Sequence, residues 1–203
     1  LHSFYANQAQ PHMYAGYSIV VAEVASITNE ALLFEHLYRT SDDPKLKAYL
    51  LNHLCDDFRT TLFRQTMFAE FEKMIHDAVE AGQPLTTDWL CEQYYELNKL
   101  YYGAPVDADP RIRLEWARIP HFYYNFYVYK YATGFAAAQA FAARILSGNA
   151  DYVEQYLGFL KAGSSKDPLD ILADAGVDLR DPSVIGKALQ RFSTLVDELD
   201  ALL

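Results

Sequence analysis

Apolar residues recur at intervals of three and four along almost the whole chain, and no stretch alternates over several residues as a half-buried strand would. The pattern predicts an all-α fold. A first helix is expected over 18–37, with Ser18 at its N-cap and Ile19, Val20, Glu23, Ile27, Glu30 and Phe34 at helical spacing. Ser41-Asp42-Asp43-Pro44 breaks the chain and opens a second helix over 44–80, long enough for a bend to be expected, which Ala81-Gly82-Gln83-Pro84 stops. Thr87 is placed as cap of a third helix over 87–101, and residues 103–110 form a polar, proline-bearing loop. A short segment over 113–120 ends at a proline. A fourth helix over 123–146 carries an aromatic first half and an alanine-rich second half, Ala136-Ala137-Ala138 to Ala142-Ala143, suited to close helix packing. Helices over 151–161 and 169–175 come next, and a last one runs from Asp181-Pro182 to residue 203. With no repeat, low-complexity tract or linker, residues 1–203 read as one domain or part of one, without an internal boundary.

Composition narrows the class. The chain has 203 residues, 51% of them hydrophobic, enough for a real core. Its net charge is −10, and the 17 basic residues are scattered, so nothing resembles the electrostatic footprint of a nucleic-acid binder. No apolar run approaches the roughly 18 residues of a membrane span. Cys55 and Cys91 are far from any CxxC spacing and read as two buried thiols in a reducing compartment. The expected setting is soluble and cytoplasmic. The chain opens on Leu1-His2-Ser3-Phe4-Tyr5 without an initiator Met, as though cut from something longer.

Candidate chemistry lies in a few places. Glu23 sits among Val20, Val21, Ala22, Val24 and Ala25, where a carboxylate is costly unless it is paired or bound to a metal. Glu30, two turns on, shares its face. Spacing alone leaves open whether these carboxylates are ligands, hydrogen-bonded to neighbouring helices, or turned to solvent. None of the six histidines forms HExxH, and Glu72 with His76 reads as a solvated face, His36 and His53 as packing or surface. The run from Pro120 to Tyr131 is denser in phenols than a core normally tolerates, since each buried hydroxyl needs a partner. If it is helical, Tyr124, Tyr127 and Tyr131 fall on one face, which His121 extends. Such a face either hydrogen-bonds an extended peptide or an oxyanion, or is an aromatic core stripe.

Several segments, in order, resemble the oligoendopeptidase F peptidases. Leu1-His2-Ser3-Phe4-Tyr5 is similar to the residues just after HExGH in the family's motif HExGHxxHS, and Ser18 to Ser26 resembles the segment that supplies its third metal ligand. His121 with Tyr124 to Tyr131, and Tyr156 to Pro168 with Ala175 to Leu179, resemble its substrate-binding and C-terminal segments. The resemblance covers essentially the whole chain. It implies the all-helical C-terminal part of a zinc metalloendopeptidase acting on short peptides, beginning just after the HExxH motif. Glu23 would ligate zinc and Glu30 would support a metal-bound histidine from outside the ligand shell. His121, Tyr124, Tyr127 and Tyr131 would bind substrate or stabilise the oxyanion. His2 is a further candidate ligand by its place in the motif, although a third histidine so close to the paired two would be crowded.

The resemblance also implies an absence. The paired histidines and the general-base glutamate of HExxH do not occur in these residues, and catalytic zinc needs three protein ligands with an open position. The chain alone is therefore expected to be inactive, with zinc absent or weakly held, and to associate with itself or with a missing N-terminal portion through an uncovered apolar face. The competing reading is a non-catalytic helical module that keeps a tyrosine-lined groove and binds peptides without cutting them.

Overall fold

The computed structural model describes residues 1–202, and among them the chain is all-α with no strand. Among the described residues nine α-helices occur in order: α1 (His2–Ala9), α2 (Ile19–Thr40), α3 (Pro44–Asp57), α4 (Arg64–Glu80), α5 (Thr87–Tyr102), α6 (Tyr129–Leu146), α7 (Ala150–Lys161), α8 (Pro168–Asp174) and α9 (Ser183–Asp200). No helix among the described residues is long and apolar enough to cross a membrane.

Most boundaries obey local chemistry. Asp43 accepts the Lys45 N–H at the start of α3, with Pro44 in the first turn where its missing N–H is not needed. Asn149 and Asp167 do the same for α7 and α8. Ser18 occupies the N-cap of α2 without a side-chain cap bond. The cap of α5 is Thr86 rather than Thr87, its Oγ1 accepting the Trp89 N–H at 3.3 Å. The helix expected over 44–80 is instead α3, a π-helical stretch Phe58–Phe63, and α4. α1 has no counterpart in the periodicity, because it buries little beyond Ala6 and shows no apolar stripe.

Two compact units divide the residues, Leu1–Phe58 with the chain from Thr133 on, and Arg59–Ala132. The first contains α1 to α3, α6 from Thr133 on, and α7 to α9, with α1 packed on α7, α3 on α9, α2 on α3 and α7 on α8. Its core includes Val21, Val24, Phe58, Phe135, Phe141, Phe159 and Leu195. Phe58 meets Phe135 edge-on at 4.8 Å, and Phe141 lies 5.2 Å from Phe159. Ala136, Ala137 and Ala138 are fully buried, and a methyl group at Gly134 would touch Val24, so the small residues of α6 do allow close approach. The second unit packs α4 on α5, and α5 on the segment after it, around Met67, Phe68, Phe71, Tyr94, Leu97, Ile119 and Val128. Cys91 is buried, whereas Cys55 is half-exposed, which corrects the expectation of two buried thiols.

Candidate functional site

In the second unit the chain between α5 and α6 is held by a few inward side chains. Pro110–Arg118 forms a 3-10 stretch capped by Asp109, whose Oδ1 accepts the Arg111 N–H at 2.9 Å. Ile119 is buried, Pro120–Tyr123 makes a second 3-10 turn, and Phe122 inserts between Phe68 and Phe71 at 5.8 and 5.5 Å. Val128 re-enters the core just before α6 begins at Tyr129. The helix expected from residue 123 therefore starts at 129, and Tyr124 and Tyr127 do not share a helical face with Tyr131.

A side chain of α4 meets the backbone of this segment. Glu72 Oε1 accepts the Phe126 N–H at 2.6 Å, the donor that a helix would aim at the carbonyl four residues back. Glu72 is 1% exposed, which corrects the expectation of a solvated face. The spacing carries a warning of this: Glu72 lies four residues after Phe68 and three before Ile75, within the apolar stripe of α4. Phe126 takes a left-handed φ of 52°, the one such non-glycine among the described residues, and its ring lies 4.5 Å from that of His76.

The predicted residues nonetheless gather. The His121 ring is 6.2 Å from Tyr124, 5.6 Å from Tyr127 and 6.0 Å from Tyr131, and Tyr127 is 5.6 Å from Tyr131. The Tyr131 hydroxyl and His121 Nε2 stand 3.4 Å apart. His121, Tyr127 and Tyr131 are half-buried and Tyr124 is exposed. Beside them a pocket of about 370 Å³ is lined by Arg64, Phe68, Arg118, His121 and Tyr131 among others. Its wall is fixed by Glu115, a buried carboxylate that pairs with both Arg64 and Arg118 and accepts the Tyr94 hydroxyl at 2.6 Å. Burial and then that hydrogen bond push the Tyr94 phenol well above its ordinary pKa. An imidazole and three phenols in one segment offer donors to a carbonyl oxygen or a developing oxyanion.

The other candidates lie in the first unit. Glu23, on α2, is half-buried, and Glu30 is exposed. His2 stacks flat on Tyr17 with ring centroids 3.7 Å apart, and both its ring nitrogens are buried without a hydrogen-bond partner. Burial brings its pKa down, to about 4. Among the described residues no three His, Cys, Asp or Glu side chains lie together closely enough to hold a metal ion. The side chains present do not by themselves fit a catalytic zinc.

This chain matches the model of Peptidase family M3 over residues 1–191. It is 52% identical over 203 residues to oligopeptidase PepF of Bacillus subtilis, covering 30% of that protein. It is 48% identical over 202 residues to the plasmid oligoendopeptidase F of Lactococcus lactis subsp. cremoris, covering 34% of it. The crystal structure of oligoendopeptidase-F from Enterococcus faecium superposes with a TM-score of 0.90 at 45% identity, over 99% of this chain and 37% of that one. The chain thus spans about a third of the length of the curated relatives it matches. An all-α chain with this order of segments, matched along nearly all its residues, belongs to peptidase family M3, among the relatives of oligoendopeptidase F.

Proposed function

We propose that these residues form the C-terminal part of the catalytic domain of a zinc-dependent oligoendopeptidase that hydrolyses short peptides in the cytoplasm. The observation that carries the reading is the gathering of His121 with Tyr124, Tyr127 and Tyr131 beside a pocket, in a chain about half identical to oligoendopeptidases. Glu23 supplies one carboxylate to the zinc, whose other protein ligands come from an HExxH helix outside these residues. Glu30 orients one of those histidines. The zinc in such an enzyme acts as a Lewis acid. His2 is the weakest of the candidate ligands, for its ring is stacked on Tyr17. His121 and the tyrosines donate hydrogen bonds to the peptide and to the charge that develops on its carbonyl oxygen.

The test is to measure zinc content and peptide hydrolysis of this chain before and after mixing with a separately made N-terminal portion that carries HExxH. Both are expected only in the mixture, and Glu23→Ala should abolish both. Hydrolysis by the unmixed chain that a chelator suppresses, or zinc and activity that survive Glu23→Ala, would overturn the assignment. Peptide binding without hydrolysis in the mixture would favour the non-catalytic module.

A further inference from the structure

We infer that Glu72 is a positioning residue for the candidate site: it holds Phe126 in its left-handed backbone and so sets Tyr124 and Tyr127 against His121. The inference deepens the proposed function and rests on it.

A bulky side chain avoids positive φ, and the conformation persists only where the surroundings over-determine it. Two side chains one turn apart on α4 do so here. Glu72 Oε1 takes the Phe126 N–H at 2.6 Å, and the His76 ring lies 4.5 Å from the Phe126 ring. Glu72 is buried while Phe126 is 46% exposed, so a buried acceptor reaches an exposed loop from beneath. The loop is short and tied at both ends, by Phe122 against Phe68 and Phe71 and by Val128 in the core. With the ends fixed, the backbone angle at 126 decides where the side chains between them point. Were the N–H released, the segment could extend α6 toward its N-terminus, which would turn Tyr124 and Tyr127 onto a helix face and disperse the cluster. The bond from Glu72 goes to the Phe126 backbone rather than to the imidazole or the phenols, so Glu72 acts through Phe126.

The experiment uses the complete peptidase with four variants, Glu72→Ala, Glu72→Gln, Phe126→Pro and Phe126→Gly in the Glu72→Ala background. Amide hydrogen exchange at Phe126 and at residues of α6 is read alongside kcat, KM and zinc content. Glu72→Ala is expected to speed exchange at Phe126 and to lower kcat/KM by about ten- to a hundredfold, the scale of a misplaced site, with zinc retained. Glu72→Gln keeps an acceptor and should recover most of that loss. Glycine adopts positive φ freely, so Phe126→Gly should restore part of the activity of Glu72→Ala, a rescue that a merely structural Glu72 would not give. Phe126→Pro removes the N–H and forces negative φ without opening the core, and it should reproduce the loss even if Glu72→Ala does not fold. Unchanged exchange at Phe126 in Glu72→Ala, full activity in Phe126→Pro, or failure of the glycine rescue overturns the inference. A wild-type enzyme that never cleaves peptides sinks the peptidase reading instead, and the exchange data still decide whether Glu72 holds Phe126.

Discussion

Two residues carry structural demands that substitutions expose. Gly163, after α7, has φ 55°, and a Cβ added there would stand 2.0 Å from the Tyr14 carbonyl oxygen, which also accepts the Ser164 N–H at 2.8 Å. Gln10 reaches the same turn through a 3.0 Å bond to the Lys161 carbonyl. Gly163→Ala must therefore push the segment around Tyr14 away from α7, and a loss of about 2 kcal/mol or more is expected in denaturant unfolding. Gly158, inside α7, meets nothing within 4 Å, so Gly158→Ala should instead stabilise by about 0.5–1 kcal/mol. Glu115 is the second case. Its loss strands the buried Tyr94 hydroxyl and leaves Arg64 short of its partner, so Glu115→Ala is expected to cost about 3 kcal/mol. Glu115→Gln should cost less, because the amide oxygen still accepts from Tyr94. A Tyr94→Phe cycle measures the coupling, and additive losses would show that the pair does not act together.

At the scale of elements, helix ends are readable where they carry local chemistry: Asp43-Pro44, Asp167-Pro168 and Gly82 each act within a turn of their own position. The segment between α5 and α6 was not readable, because its shape is decided by Glu72, a residue 54 positions away from Phe126 along the chain. The residues of the candidate cluster are legible in the sequence, but through a helical face that does not form, and the loop reaches the same gathering by another path. Glu23 is a half-buried carboxylate on α2. One prediction belongs to the 3-10 stretch that leads into the loop. Hydrogen bonds from the Arg111 side chain and then its N–H hold the exposed Asp109 carboxyl down at about 2, below its ordinary 3.8. A depressed carboxyl contributes stability above its unfolded value and loses it as pH falls through its folded value. The turn at 109–111 should therefore loosen between pH 4 and pH 2, within the window those two values define. Carboxyl carbon NMR should show Asp109 titrating near 2 and moving back toward 3.8 in Arg111→Ala. A midpoint already at 3.8 in the unchanged chain would show that the bonds are not kept in solution.

Across the whole molecule, two opposing terms govern whether the isolated chain stays monomeric. In the first unit, large apolar side chains on and flanking α1 stand in water, Met13 at 84% exposed with Leu1 and Phe4 also uncovered, and apolar surface of this kind drives association. Against it stands a net charge of −10, which makes two copies repel. The two terms respond differently to salt. Repulsion between exposed charges fades as the screening length falls from about 10 Å at 0.1 M to about 3 Å at 1 M, whereas apolar burial does not weaken. Sedimentation of the isolated 203-residue chain should therefore give an average mass that rises with salt at fixed protein concentration. If the same apolar surface is what a longer peptidase covers, adding the separately made N-terminal portion should remove the salt-driven rise and leave a single heterologous complex. A mass that falls with salt would mean that copies are joined by ion pairs instead, and a rise that persists in the mixture would mean that the uncovered side chains lie on a face the rest of the peptidase does not touch.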